Sequence, residues 1–246
     1  MIRVTRHGWR EILIGTLLLA AIAWAFAWFL WWPLALAVGP VWVWLIAFFR
    51  DPERTIPGEQ HAMVSPADGK VSDVMEVHSD LLGGPAIRIG IFLSVFNVHV
   101  NRAPCDGRVI AVNYKKGKFI NALHHNEASD QNESNTIVLA EAHGDRPIAV
   151  VKQIVGLIAR RIICTSGVGD TVRRGQRIGM IKFGSRTELL IPTWLAPEVR
   201  VKPGDVVQGA KDIIAVLGHA IHTERPAAGA DTTPPPEPSP TPAPHA

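Results

Sequence analysis

Cysteine is almost absent from this chain, with two in 246 residues. Cys105 and Cys164 cannot build a disulfide framework and lack metal-ligand spacing, so they read as core thiols suited to a reducing compartment. Charge is scarce too: 25 Lys and Arg against 22 Asp and Glu leave a net +3. No basic stripe interleaved with aromatic residues occurs, which argues against nucleic acid as a partner. His124 and His125 are adjacent. Neighbours on a helix diverge by about 100°, so they do not converge on one ion, and no metal site is expected.

What the chain has in quantity is apolar length. Residues 12–32 carry no charge and are rich in Leu, Ala, Ile, Phe and Trp. About 20 such residues cross a bilayer as a helix. Pro33 interrupts the run, and 34–49 is again uncharged but shorter, with Gly39-Pro40 inside. The Trp residues near Pro33 and at Trp42 and Trp44 suit a membrane interface. A cleaved signal peptide ending near Ala35-Leu36-Ala37 would have too long an apolar stretch. A single span would put the rest of the chain outside. Arg3, Arg6 and Arg10 before the apolar region, with Arg50 and Arg54 after it, favour a transmembrane helical hairpin over 1–54. The remainder is then expected on the cytoplasmic side of the inner membrane.

From residue 55 the pattern changes to short β-type runs, such as 86–93, 136–139 and 148–151, punctuated by glycine. Close-spaced strands of this kind predict a mainly β domain over 55–222, a flattened barrel or sandwich, with a short helix over 121–130. Two internal echoes occur. Pro66-Ala67-Asp68-Gly69-Lys70-Val71 recurs as Pro104-Cys105-Asp106-Gly107-Arg108-Val109, and Asp-Gly between strands signals a hairpin turn. Gly169-Asp170-Thr171-Val172 is echoed by Gly204-Asp205-Val206-Val207, as in the turns of a lipoyl-like barrel. Asp106, Asp170 and Asp205 read as turn chemistry. Residues 223–246, with Pro234-Pro235-Pro236, cannot bury a core and are expected to be disordered.

The sharpest chemical signal is Gly184-Ser185, between two strand-like runs in the last quarter of the chain. A serine hydroxyl there can attack the preceding carbonyl and move the acyl group from nitrogen to oxygen. β-Elimination of the ester leaves dehydroalanine on the downstream piece, and hydrolysis releases ammonia and yields an N-terminal pyruvoyl group. Glycine lacks Cβ, so the attack is unhindered. A base must take the hydroxyl proton, and His99, after a strongly apolar strand, is the candidate. Asp68 is the candidate to orient it, as a carboxylate fixes an imidazole tautomer.

Further segments sharpen this reading. They are Phe48-Phe49-Arg50-Asp51-Pro52-Glu53-Arg54, Ser65-Pro66-Ala67-Asp68-Gly69, Phe96-Asn97-Val98-His99-Val100-Asn101-Arg102-Ala103-Pro104, Gly117-Lys118-Phe119-Ile120-Asn121-Ala122, Asn132-Glu133-Ser134-Asn135, Gly156-Leu157-Ile158-Ala159-Arg160-Arg161-Ile162 and Phe183-Gly184-Ser185-Arg186. In this order they resemble the phosphatidylserine decarboxylase family, of the short, membrane-anchored bacterial and archaeal type. The resemblance implies self-cleavage between Gly184 and Ser185 into a β chain (1–184) and an α chain (185–246). It also implies a covalent pyruvoyl cofactor derived from Ser185, a Schiff base between that group and the substrate amine, and conversion of phosphatidylserine in the bilayer to phosphatidylethanolamine. Two departures stand out. The family's long type carries two histidines three apart before this proline; His99 is the first, and Arg102 holds the second position. The resemblance therefore does not carry over the whole Asp–His–Ser processing triad, and His99 can serve decarboxylation instead. Ser134 stands where arginine is common. Arg160 and Arg161 either meet lipid phosphate or form ordinary surface ion pairs. A pyruvoyl-dependent decarboxylase of a soluble amino-acid derivative, and a non-enzymatic membrane-tethered lipoyl-like adaptor, are the alternatives. A homo-oligomer stays open.

Overall fold

The computed structural model describes residues 3–29, 31–120, 125–141, 144–157, 161–182 and 185–218. Gly184, His124, Arg160 and the tail expected over 223–246 lie outside them.

Two helices come first, α1 (Trp9–Trp28) and α2 (Trp32–Phe48). Pro33 sits in the first turn of α2, where its missing N–H costs nothing, so it starts the second helix. The two run antiparallel, with Trp42 Nε1 donating to Thr16 Oγ1 at 2.9 Å. Their open ends meet: Thr5 N donates to the Phe49 carbonyl at 2.9 Å, and Asp51 N to that of Arg3 at 2.7 Å. The chain therefore returns to the side where it began. Along both helices Leu13, Leu17, Leu18, Trp24, Trp28 and Leu36 point outward. The stretch Arg6–Trp28 is long and apolar enough to cross a membrane, whereas α2, at 17 residues, is shorter.

The rest is mainly β, as expected. In chain order the strands are β1 (Ala62–Val64), β2 (Gly69–Ser79), β3 (Gly84–Leu93), β4 (Val100–Arg102) and β5 (Gly107–Lys115), then helix α3 (His125–Gln131), β6 (Ser134–Ala140), β7 (Pro147–Val155) and β8 (Arg161–Cys164). They continue with β9 (Thr171–Val172), β10 (Arg177–Lys182), β11 (Ser185–Pro192), β12 (Pro197–Val199), β13 (Val206–Val207) and β14 (Ile213–Leu217). An eight-stranded sheet, in the order β13-β2-β3-β11-β7-β6-β5-β9, curls into a half-barrel. Two small sheets, β1-β14-β12 and β4-β10-β8, complete the domain. Ile89, Ile91, Leu93, Ile137, Leu139, Val151, Leu189 and Ile191 line the sheet's inner face and pack on Met63, Ala103, Ile178 and Ile214.

The echoes explain this sheet. Gly69 and Lys70 pair with Val207 and Val206, and Gly107 and Arg108 pair with Val172 and Thr171. Each copy of the first motif thus pairs with a copy of the second, and the two couples form opposite ends of the sheet. Gly169 (φ 95°) and Gly204 (φ 102°) take the left-handed conformation that these turns require. Asp170 and Asp205 accept from the backbone N–H three residues back, at 2.7 and 3.0 Å. The two Asp-Gly steps do not close hairpins. β1 pairs with β14 and β2 with β3, while β4 pairs with β10 and β5 with β6, so each step opens a strand that leaves for another sheet.

Candidate active site

Ser185 heads β11, the strand between β3 and β7 at the centre of the large sheet, and pairs with Leu93 on one side and Val155 on the other. Its side chain is in phase with Thr187, Leu189 and Ile191, so it points to the inner face. Ser185 is fully buried, and its Oγ has no hydrogen-bond partner among the described residues. Leaving a buried hydroxyl unbonded costs about 1–3 kcal/mol, so packing alone does not favour a serine there.

One step further along β11 a polar chain crosses the core. Asn101 Nδ2 donates to Thr187 Oγ1 at 2.9 Å, Gln153 Nε2 to Asn101 Oδ1 at 2.9 Å, and Asn135 Nδ2 to Gln153 Oε1 at 3.0 Å. The chain ties β4 to the inner face beside Ser185. His99 lies two residues before Asn101 on the same side of the strand, as Ser185 lies two residues before Thr187. The His99 carbonyl accepts from Ile181 N at 3.1 Å, near the end of β10, which leads into the Ser185 step. These pairings bring His99 and Ser185 to the same end of the two facing layers.

His99 is fully buried. Its Nδ1 lies 2.9 Å from the Asn97 carbonyl. A carbonyl only accepts, so Nδ1 carries the proton and Nε2 is the basic nitrogen. Burial, with the Arg50 charge adding to it, depresses the imidazole to about 4 against the opposing pull of the Asn97 bond. At neutral pH the ring is uncharged and competent to take a proton.

Asp68 has two partners of its own. Its Oδ2 accepts from Arg54 at 2.7 Å and its Oδ1 from Gly209 N at 2.7 Å. Burial pushes its carboxyl up, against both bonds. Asp106, in the equivalent echo, accepts from Arg174 N at 2.6 Å in the same manner. The backbone contact of Asp68 is therefore motif chemistry, and its hydrogen bonds do not bring it against His99.

The helix pair is fastened directly to this site. Phe48, in the last turn of α2, lies against His99 with ring centroids 4.4 Å apart. Lys182 Nζ donates to Glu11 of α1 at 2.6 Å. Arg50 donates to the carbonyls of Ala47 at 2.8 Å and Phe96 at 2.6 Å. Arg102, at the position of the missing second histidine, is buried and donates to Asp51 at 2.8 Å, the Pro52 carbonyl at 3.0 Å and the Gly175 carbonyl at 3.1 Å. Arg177 holds the other Asp51 oxygen. The segment 48–54 is thus the joint between anchor and site.

One cluster escaped sequence reasoning. Arg186 is fully buried on the outer face of the sheet. It donates to Asp73 at 2.6 Å, to Glu188 at 2.9 Å and to Ser72 Oγ. Arg88 lies 3.2 Å from Asp73 and 3.9 Å from Glu188. Gly90 makes room for the guanidinium, since a Cβ there would lie 2.1 Å from Arg186 Nη2. Burial alone would raise the Asp73 carboxyl; the Arg186 charge, with the Ser72, Arg186 and Arg88 interactions, holds it below its usual range. The only hint in the sequence was the Arg-Thr-Glu alternation, which ordinarily marks a solvent face.

A buried serine without a partner, at the head of a central strand and at the same end as a neutral buried histidine, is competent for nucleophilic attack on a backbone carbonyl. Comparison with known proteins shows the family. The family model for phosphatidylserine decarboxylase matches residues 43–215. A protein of Rhodopirellula baltica named phosphatidylserine decarboxylase proenzyme is 43% identical over 210 residues, 85% of this chain and 86% of its own length. Proteins of the same name from Cupriavidus pinatubonensis and Ralstonia nicotianae are 41% and 42% identical, each covering 87% of this chain and 95% of its own length. The match begins within α2 and runs past Ser185, so the chain belongs to the phosphatidylserine decarboxylase family.

Proposed function

We propose that this chain is a proenzyme that cuts itself between Gly184 and Ser185 and then decarboxylates phosphatidylserine to phosphatidylethanolamine at the inner membrane. The observation that carries the reading is the buried, unpartnered Ser185 hydroxyl at the head of β11. Ser185 Oγ attacks the Gly184 carbonyl, the amide C–N bond breaks and an ester forms. Elimination frees the Gly184 carboxylate and leaves dehydroalanine at 185, which takes up water and releases ammonia. The resulting pyruvoyl carbonyl supplies the electron sink for loss of CO₂. His99, uncharged and basic at Nε2, serves as the acid/base group of the site. Its ring is held by the Asn97 carbonyl and packed by Phe48. Asn101, Thr187, Gln153 and Asn135 fix the strand that carries His99 against the strand that carries Ser185.

The helix pair supports a lipid substrate. Its outward apolar side chains call for an apolar solvent, and α1 is long enough to supply a span. Arg3, Arg6, Arg10 and Arg50 sit at the open end, beside the β domain, which favours the cytoplasmic face.

Intact mass of the purified full-length protein tests the reading. Two fragments meeting at 184/185 are expected, their summed mass exceeding the precursor by one water less one ammonia. Ser185→Ala should remain a single chain and turn over no phosphatidylserine. An uncut, unmodified wild type would refute the proposal.

A further inference from the structure

The strands on both sides of Ser185 end at its level, and the chain runs on past it. β3 reaches the level of Ser185 at Leu93 and the chain continues into 94–99; β7 reaches it at Val155 and the chain continues to Leu157. Each continuation puts one large apolar side chain into the open, Phe96 at 70% exposure and Leu157 at 65%. Single exposed apolar residues are ordinary, but these two flank one buried residue from opposite sides.

Both continuations are also tied to the anchor. Arg50, at the end of α2, holds the Phe96 carbonyl at 2.6 Å and the Ala47 carbonyl at 2.8 Å, so Phe96 hangs where α2 leaves its apolar course. On the other side, Arg161 pairs with Lys182, and Lys182 bonds Glu11 in the first turn of α1. The strand that follows Leu157 therefore meets the anchor where α1 begins. Arg6, Arg10 and Arg161 are exposed at this level. Apolar side chains interspersed with exposed cations, continuous with a helix pair that is apolar all round, match an anionic bilayer interface.

We propose that Phe96 and Leu157 insert into the headgroup region of the bilayer that holds α1 and α2, so that the Ser185 site opens onto lipid and takes its substrate laterally from the membrane. The proposal deepens the phosphatidylserine reading and rests on it. Phe96 and Leu157 are docking residues and take no part in the chemistry.

The test uses the full-length chain in the uncut Ser185→Ala form, so that the lipid is not consumed, in phosphatidylcholine–phosphatidylserine vesicles. Phe96→Cys and Leu157→Cys are labelled with an environment-sensitive fluorophore in a Cys164→Ala background. Cys105 is buried, and burial reinforced by Asp106 pushes its thiol up to about 12, so it stays unlabelled. Leu81→Cys, 42% exposed between β2 and β3 at the end of β3 remote from Leu93, is the aqueous control. Spin-labelled lipid should quench the probes at 96 and 157 and spare that at 81. Equal quenching at all three positions overturns the proposal. In the active enzyme, Phe96→Ser combined with Leu157→Ser should process fully and turn over long-chain phosphatidylserine in vesicles about tenfold more slowly. Turnover of a short-chain, monomeric phosphatidylserine should be unchanged. Equal losses on both substrates, or none on either, would also overturn it. A wild type that turns over neither substrate indicts the decarboxylase reading instead, and the quenching result stands apart from that outcome.

Discussion

Arg186→Met offers the most direct probe of the outer-face cluster. The methionine keeps much of the stem's volume and removes the guanidinium, which is fully buried and bonded to Asp73, Glu188 and Ser72. Arg88 still reaches both carboxylates, at 3.2 and 3.9 Å, but two acids that are 8% and 2% exposed then share one cation. Breaking a buried ion pair from one side costs about 3–5 kcal/mol, against a total of about 5–15 kcal/mol for a typical fold. At about 2–4 °C per kcal/mol, the melting temperature should fall by about 6–20 °C. The assay is thermal unfolding of the Ser185→Ala form in detergent, which keeps the chain uncut in both variants. Adding Glu188→Gln, which leaves Arg88 paired with Asp73, should restore a large part of the loss, because the penalty is the stranded charge. Asp73 is held below its usual carboxylate range, so its contribution is present above its unfolded value and fades as pH falls through the folded one. The Arg186→Met deficit should therefore be largest at neutral pH and shrink in acid. A loss under about 1 kcal/mol, or one independent of pH, would refute this account of the cluster.

Two further substitutions separate the roles near Ser185. His99 is depressed from 6.5 to about 4, so the fold is favoured above the unfolded value and loses about 3 kcal/mol as pH falls from about 6.5 to about 4. His99→Gln should remove that acid limb in thermal melts of the uncut form, and should slow self-cleavage, turnover or both; normal rates of both would reduce His99 to packing. Asp68→Asn and Arg54→Gln should lower the melting temperature similarly and, combined, non-additively, since they break one 2.7 Å bridge. Neither should move the pH profile of turnover, and a shifted profile for Asp68→Asn would restore it as the group that orients His99.

The fold was legible where its cause was local. Residues 12–32 and 34–49 lack charge, and two helices follow; the interruption expected at Pro33 falls just before it, because the proline starts the second helix. The helix expected over 121–130 is observed as His125–Gln131, with 121–124 outside the described residues. Both echoes were visible, yet nothing local says that one motif pairs with the other across distant stretches of chain. Hence Asp68-Gly69 and Asp106-Gly107 looked like hairpin turns. Arg102 looked like a gap in a triad because its partners, Asp51 and Pro52, belong to the anchor joint. Arg186 and Glu188 alternate with the core residues of β11, a pattern that predicts solvent exposure. They are buried because β2 brings Asp73 beside them and α3 brings Ser129, whose Oγ donates to Glu188.

The same topology accounts for how a chain could be cut at the head of its central strand and stay whole. Scission between 184 and 185 would place β11, β12, β13 and β14 on the downstream fragment. β11 lies between β3 and β7, β13 pairs with β2, and β14 pairs with β1, all on the upstream fragment. β11, β13 and β14 cannot peel away without breaking their pairing with the larger piece. The cut also changes residue 185 itself: a pyruvoyl group has no N–H, so the new chain end would lose one backbone donor. Arg186 would then be the first residue on that chain with side-chain anchors, and its bonds to Asp73, Ser72 and Glu188 reach both β2 and its own strand. Burying a cation is costly, and a surface strand would have no use for it. At the head of a central strand severed as proposed, it would hold the new chain end in register at the point where the backbone no longer could.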